Sequence, residues 1–214
     1  MEQSNNQFPA EEVTLPSKGL LYPEESPLKS GIIEMKYMTA KEEDILTNQN
    51  LIANGTVIDK LLQSLIVSPI SYNDLLVGDK NAILVAARIL GYGANYSFTQ
   101  DGVEHTVDLS ELKDKFLDES LVIDGKNEFS FTLPTSKKEI TFKLLTHEDE
   151  KNIDREIKGL QKINSKGNFS STTNLKHTIL SVDGDYEKKT IRNFVDTQLL
   201  AIDARELRKY IEKI

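Results

Sequence analysis

Between residues 31 and 37 apolar and polar side chains alternate. Ile33, Met35 and Tyr37 fall on one face, Glu34 and Lys36 on the other, which is the period of a half-buried strand. Thr39 and Glu42 then form a capping-box pattern that predicts a short helix to about Thr47. Val57, Ile58, Leu61, Leu62, Leu65 and Ile66 make a broad stripe at helical spacing, predicting a helix over 56–67 that Pro69 ends. Residues 78–90 are apolar on nearly all sides and read as a central buried helix with Asp79 at its start and Gly91 and Gly93 at its end.

In the middle of the chain the period returns to two. Tyr96 and Phe98 alternate on one arm, and Val103, His105, Val107 and Leu109 on the other, around Asp101-Gly102. This predicts a β-hairpin over 95–109. Further strands are predicted at 128–133 and 139–145. From Thr146 the pattern is helical again. Ile153, Ile157, Leu160 and Ile163 form a narrow stripe, 164–171 a connector, and Thr172 or Thr173 the start of a helix to about Ser181. Asp183-Gly184-Asp185 is a turn, a helix follows at 187–200, and Leu207, Tyr210, Ile211 and Ile214 mark a last amphipathic helix. No internal repeat is present.

The opening is different. Residues 1–12 are polar and expected to be mobile. Residues 13–30 carry Pro16, Pro23 and Pro27, which argue against a helix. Leu15, Leu20, Leu21 and Tyr22 are apolar within this polar tract, with Pro16 and Gly19 setting a bend. Such a segment docks on a partner or clamps onto its own domain; the pattern is compatible with both. The expectation is thus an α+β fold, mainly helical, with a small antiparallel β unit in the middle and an extended N-terminal arm. Its parts are a flexible arm over 1–30, a strand and helical layer over 31–94, the β unit over 95–145 and a C-terminal helical region over 146–214.

Composition narrows the function. The 214 residues are 38% hydrophobic and 28% charged, as in a globular protein able to bury a core without disulfides or metals. There is no cysteine, hence no disulfide, thiol chemistry or Cys-based metal site. With 34 acidic and 26 basic residues the net charge is −8, which argues against sequence-independent nucleic-acid binding. No apolar run approaches the roughly 20 residues of a membrane span. The opening Met-Glu-Gln-Ser-Asn-Asn-Gln is not a secretory signal. Cytoplasm is the expected location.

Catalytic signatures are missing. His105, His147 and His177 are far apart and fit no zinc spacing; His105 reads as a packed strand residue. Glu148, Asp149 and Glu150 read as an acidic first helical turn, and Asp183 and Asp185 as part of a turn, rather than as a cation loop. A small enzyme built on Glu148, Asp149 or Asp183 would need those carboxylates to converge in a pocket. Gly91-Tyr92-Gly93 follows a helix and is too short to cradle phosphate. Arg88, inside an apolar run, is the one charge expected to be buried, and so to be paired with a carboxylate. No catalytic residue, cofactor or metal ligand is assigned. The 153–163 stripe and the final helix could each serve a second chain or their own domain. The candidate partner-binding residues are Leu15, Pro16, Gly19, Leu20, Leu21, Tyr22, Tyr210 and Ile211.

Four blocks carry a resemblance. They are Val13-Thr-Leu-Pro-Ser-Lys-Gly-Leu-Leu-Tyr22 leading into Met38-Thr-Ala-Lys-Glu-Glu43; Val77-Gly-Asp-Lys-Asn-Ala-Ile-Leu-Val-Ala-Ala-Arg-Ile-Leu-Gly-Tyr-Gly93; Leu175-Lys-His-Thr-Ile-Leu-Ser-Val-Asp-Gly184; and Ile191-Arg-Asn-Phe-Val195 with Asp203-Ala-Arg-Glu-Leu-Arg208. In this order they resemble the baseplate hub assembly proteins of T-even-type phages. Many relatives in that family carry a Cys-x-x-Cys pair after the Gly-Tyr-Gly block, which resembles half of a zinc ribbon. Here residues 95–109 contain no cysteine, so no zinc site is carried over. The resemblance implies a non-enzymatic tail protein, hub subunit or assembly chaperone, working by protein–protein contacts in the host cytoplasm or within the virion baseplate. Its partners would be other hub or tail proteins, not nucleic acid or membrane, and it leaves an oligomer open. A small acidic bacterial adaptor is the alternative of a different class.

Overall fold

The computed structural model describes residues 9–113, 115–123, 125–165 and 167–214. The fold is mixed α+β with small antiparallel sheets. Two compact units divide the chain. The first contains 9–19, Glu24–Tyr72 and Gly78–Phe116; the second contains Leu20–Pro23, Asn73–Val77 and Leu117–Ile214.

The first unit begins with β1 (Ala10–Thr14) paired antiparallel with β2 (Ile32–Lys36), Ala10 opposite Lys36 and Thr14 opposite Ile32. Alternation in β2 buries Ile33 and Met35 and leaves Ile32 and Glu34 out. A flexible arm over 1–30 is therefore not what forms: from residue 10 the chain is a strand. Glu11 and Glu12 hide it from a hydrophobicity pattern because that part of the strand is exposed on both faces. Residues 1–8, also expected to be mobile, lie outside the described residues.

Helices α1 (Ala40–Leu46), α2 (Gln49–Ala53) and α3 (Val57–Leu65) follow. The predicted capping box is present at α1, and α3 buries Leu61, Leu62 and Leu65. Helix α4 (Val77–Tyr92) fully buries only Asp79, Ile83 and Ala87, a stripe at i, i+4, i+8. It is a one-sided helix rather than the central buried one expected, and Leu84 is exposed. Strands β3 (Asn95–Gln100) and β4 (Val103–Asp108) form the predicted hairpin around Asp101-Gly102.

The second unit centres on a three-stranded sheet in the order β5 (Phe129–Thr132), β6 (Glu139–Phe142), β7 (Ile179–Val182). The expected single β unit over 95–145 is thus two separate sheets, with β3–β4 in one unit and β5–β6 in the other. Helices α5 (His147–Ile163), α6 (Ser170–Thr178), α7 (Lys188–Thr197) and α8 (Ala201–Ile211) complete this unit. The helix expected to reach Ser181 stops at Thr178, because Ile179-Leu-Ser-Val182 is taken as the third strand of the sheet. Among the described residues no helix is long and apolar enough to cross a membrane.

Helix α8 lies on the apolar face of the sheet. Tyr210 stacks on Phe131 with centroids 4.7 Å apart and meets Phe142 edge-on at 6.0 Å. Asp203 in its first turn is fully buried and accepts the backbone N–H groups of Thr135 and Ser136 at 2.8 and 3.0 Å. Burial alone would raise its pKa; the bonds from Thr135 and Ser136 outweigh that and hold it below the ordinary aspartate value. Asp203→Ala strands two N–H groups and should cost about 1–3 kcal/mol. Urea unfolding would show a lowered midpoint at unchanged slope; an unchanged midpoint would refute the role given to this carboxylate.

Candidate protein-interaction surface

The segment expected to meet a partner is instead taken up by the chain's own fold. Leu15, Leu21 and Tyr22 are buried, and Pro16 and Leu20 are half-buried. Leu15 N–H donates to the Gly31 carbonyl at 2.8 Å and Lys18 N–H turns back to the Leu15 carbonyl at 2.9 Å. Ser17 is the lock. Its N–H and its hydroxyl donate to the two carboxylate oxygens of buried Asp79, at 2.9 and 2.7 Å, across 62 residues of sequence. The Tyr22 hydroxyl accepts the N–H of Leu76 at 2.9 Å.

Gly19 makes this turn possible. Its φ is +74°, and a Cβ there would lie 2.3 Å from the Lys29 carbonyl oxygen. Gly31, at φ +70°, meets the Lys18 backbone in the same way at 2.6 Å. Two strands of backbone pass in contact, which only glycine permits.

In the 153–163 stripe Ile153 is buried, Ile157 and Leu160 are half-buried and Ile163 is exposed. Tyr210 and Ile211 are half-buried, with Tyr210 on the sheet aromatics. Arg88 is half-buried rather than buried, and its hydrogen bonds go to carbonyls, not to the carboxylate expected: to Gly93 at 3.0 Å and Asn95 at 3.4 Å. The end of α4 and the start of β3 present those carbonyls within its reach. Its guanidinium sits over the rings of Tyr92 and Tyr96, at 5.1 and 5.6 Å. Among the described residues the buried acidic side chains are Glu42, Asp79 and Asp203, and His147 is buried as well.

Glu148 pairs with Lys151, Asp149 caps α5 through Thr146 and pairs with Lys143, and Asp183 binds Lys138 and the N–H of Glu139. Among the described residues no group of three or more His, Asp or Glu side chains could hold a metal. A cavity of about 260 Å³ lies on the polar face of the β5–β7 sheet, against Ser130, Thr141, Ser181 and Tyr186. Its Thr141 and Ser181 hydroxyls bond each other at 2.6 Å, and Tyr186 donates to Glu128.

The hairpin β3–β4 groups exposed apolar side chains on one face. The cross-strand pairs Tyr96–Val107, Phe98–His105 and Gln100–Val103 share one face. Tyr96 is 44% exposed, Val103 57% and Val107 38%. Tyr96, Phe98 and His105 stack in a row at 6.0 and 5.5 Å. Arg88 and the half-exposed Tyr92 extend this row onto α4. His105 is thus an exposed member of an aromatic row rather than a packed core residue. The alternation itself marked the two faces; nothing local marked the apolar one as uncovered.

In the second unit three helices meet at one carboxylate. Glu156 of α5 accepts Arg192 Nη1 and Nη2 of α7 at 2.6 and 2.7 Å, and faces His177 Nε2 of α6 at 3.0 Å. The Arg192 bonds lower its pKa to about 2 against the opposing effect of burial, with His177 adding to the lowering. Glu42 also falls to about 2: burial would raise it, but bonds from Lys36, Thr39 and Ser64 prevail.

No protein-family model, curated protein or solved structure matches the chain.

Two outcomes follow. Gly19→Ala places a Cβ at positive φ against backbone and should destabilise by about 2 kcal/mol or more. Gly102→Ala, at φ +79° with open space around it, bears only the conformational term of about 1 kcal/mol; equal losses would contradict the close approach. Second, carboxylates held at about 2 release protons on folding between their unfolded pKa near 4.5 and 2. Their stabilisation is complete above pH 4.5 and is lost as pH falls toward 2, by up to about 1.4 kcal/mol per pH unit for each group. Urea midpoints from pH 6 to pH 3 should fall, and less steeply in Glu156→Gln; parallel profiles would show that Glu156 is not held by its partners.

Proposed function

We propose that this chain is a non-enzymatic phage tail protein that helps to assemble a baseplate hub, as a hub subunit or as a chaperone, through protein–protein contacts. The observation that carries the reading is the ordered set of four blocks resembling that family, which runs from Val13 to Arg208. The exposed aromatic row of the hairpin supports it from a different direction. Apolar rings left in water at one place mark a surface for another protein. In the family that the blocks resemble, this is the region of the cysteine pair. Here aromatic side chains stand in it, and the contact made there would be apolar rather than ordered around zinc.

The N-terminal segment has no direct part in this contact. Its Leu-Pro-Ser-x-Gly spacing is accounted for by the Ser17–Asp79 lock and the Gly19 close approach. Partners are other hub or tail proteins, met in the cytoplasm of an infected cell. No cofactor or catalytic step enters.

Pull-down from phage-infected cells tests the reading with tagged full-length protein and a Tyr96→Ser/Val103→Ser variant. Both substituted side chains are exposed, so folding should be unaffected, as circular dichroism would confirm. Hub or tail subunits should be recovered by the parent and reduced at least tenfold by the variant, roughly the loss of two interface anchors at more than 1 kcal/mol each. Recovery of no tail subunit by either protein would overturn the reading; equal recovery by both would move the contact off the hairpin.

A further inference from the structure

The hairpin exposes an edge as well as a face. Leu109 N–H donates to the Ala94 carbonyl, which sets the phase of the ladder. Ala94–Leu109, Tyr96–Val107, Phe98–His105 and Gln100–Val103 are then the pairs that exchange backbone bonds. The N–H and C=O groups of Ser97 and Thr99 point away from β4. β3 pairs with β4 alone among the described residues. By contrast the outer edge of β2 is met within its own unit: Val67 N–H donates to the Glu34 carbonyl, and Glu34 N–H to the Ser68 hydroxyl.

Charge is distributed unequally between the two strands. β4 carries Glu104 and Asp108, and Asp101 sits in the turn; Asn-Tyr-Ser-Phe-Thr-Gln of β3 carries no charge and no proline. Charged side chains are how proteins keep an edge from pairing. β4 has them and β3 does not. A two-stranded hairpin is marginal in water, and three or more strands are needed for independent stability.

We infer that two copies of the chain pair antiparallel through the outer edges of β3, forming a four-stranded sheet with the two β3 strands at its centre. The occupant is a second copy because the strand is complementary to itself in one register. With a twofold axis at Ser97, each Ser97 faces its equivalent and exchanges both backbone bonds with it. Asn95 then faces Thr99 of the second copy, whose N–H takes the place of the long 3.4 Å bond from Arg88 at the Asn95 carbonyl, and Tyr96 faces its Phe98. The axis is perpendicular to the sheet, so the aromatic rows of both copies lie on the same face and become one. No charge opposes a charge. Pairing through β4 would instead bring Glu104 and Asp108 of both copies together, where like charges oppose association. The contact is isologous and closes at two copies. This inference does not rest on the proposed function.

Light scattering on the full-length protein reads it directly. The parent should have twice the 24.1 kDa mass of the chain. Ser97→Lys alone and Ser97→Glu alone place like charges across the axis and should shift the protein to monomer. An equimolar mixture of the two should return to the double mass, because Lys then faces Glu. Ser97→Ala, which removes the same hydroxyl and its 2.8 Å contact with Thr106 without adding charge, should remain a dimer. Because Ser97 is exposed, circular dichroism should be unchanged in all three. A monomeric parent, a dimer that survives Ser97→Lys, or a mixture that stays monomeric would each overturn the pairing.

Discussion

Buried carboxylates in the first turns of helices hold this fold together. Asp79 of α4 grips Ser17, Asp203 of α8 grips Thr135 and Ser136, and Glu42 of α1 gathers Thr39, Lys36 and Ser64. Each of the three is almost without solvent exposure. A carboxylate in such a place is costly unless its oxygens are filled. Here they are filled by N–H and O–H groups, with Lys36 joining at Glu42, and the positive end of the helix dipole adds to the balance. The consequence is directional. A first-turn carboxylate fixes where a helix begins and, in the same act, where a distant loop must lie. The loops so held, 15–19 and 134–138, have no helix or strand of their own.

That arrangement explains why the blocks resembling the hub assembly family have the residues they have. Ser17 and Gly19 belong to the first, Thr39 and Glu42 to its continuation, Asp79 to the second and Asp203 to the fourth. These are partners in the clamps or the glycine that lets the backbone pass. The pattern is therefore first a description of a frame. What the frame presents is the hairpin between the second and third blocks, with its aromatic row and uncharged edge. The proposed role in assembly would be exercised there, on its exposed aromatic face.

Much of the local structure was legible from the sequence, because its causes are local. The capping box at Thr39–Glu42, the stripe of α3 and the Asp-Gly turn of the hairpin all act within a few residues. Three errors have physical reasons. β1 reads as polar because its side chains face water, and what makes it a strand is Ile32–Lys36 beside it. Ile179–Val182 continues an apolar helical spacing until the sheet claims it through β6. Helix α4 looks buried all round, but its alanines and leucines cover more surface than its neighbours can bury. The candidate site fared worse. Apolar residues in a polar tract signal burial against something, and sequence gives no sign of whether that is a partner or the chain itself. The bonds that decide it, Ser17–Asp79 and Thr135–Asp203, span 62 and 68 residues, a distance over which no periodicity carries information. Arg88 lacks the expected carboxylate partner for a related reason: carbonyls at a helix end and two tyrosine rings can satisfy a cation as a carboxylate does.

The central claim is that residues 13–19 are a fixed part of the first unit, locked by Asp79, and not an arm that waits for a partner. Amide hydrogen exchange of the isolated full-length protein measures this most directly. The N–H groups of Leu15 and Ser17, bonded to Gly31 and Asp79, should exchange as slowly as those in the buried core of their unit, and Ser17 should lose that protection in Asp79→Ala. Exchange of Leu15 and Ser17 at the rate of an unstructured chain would contradict the account.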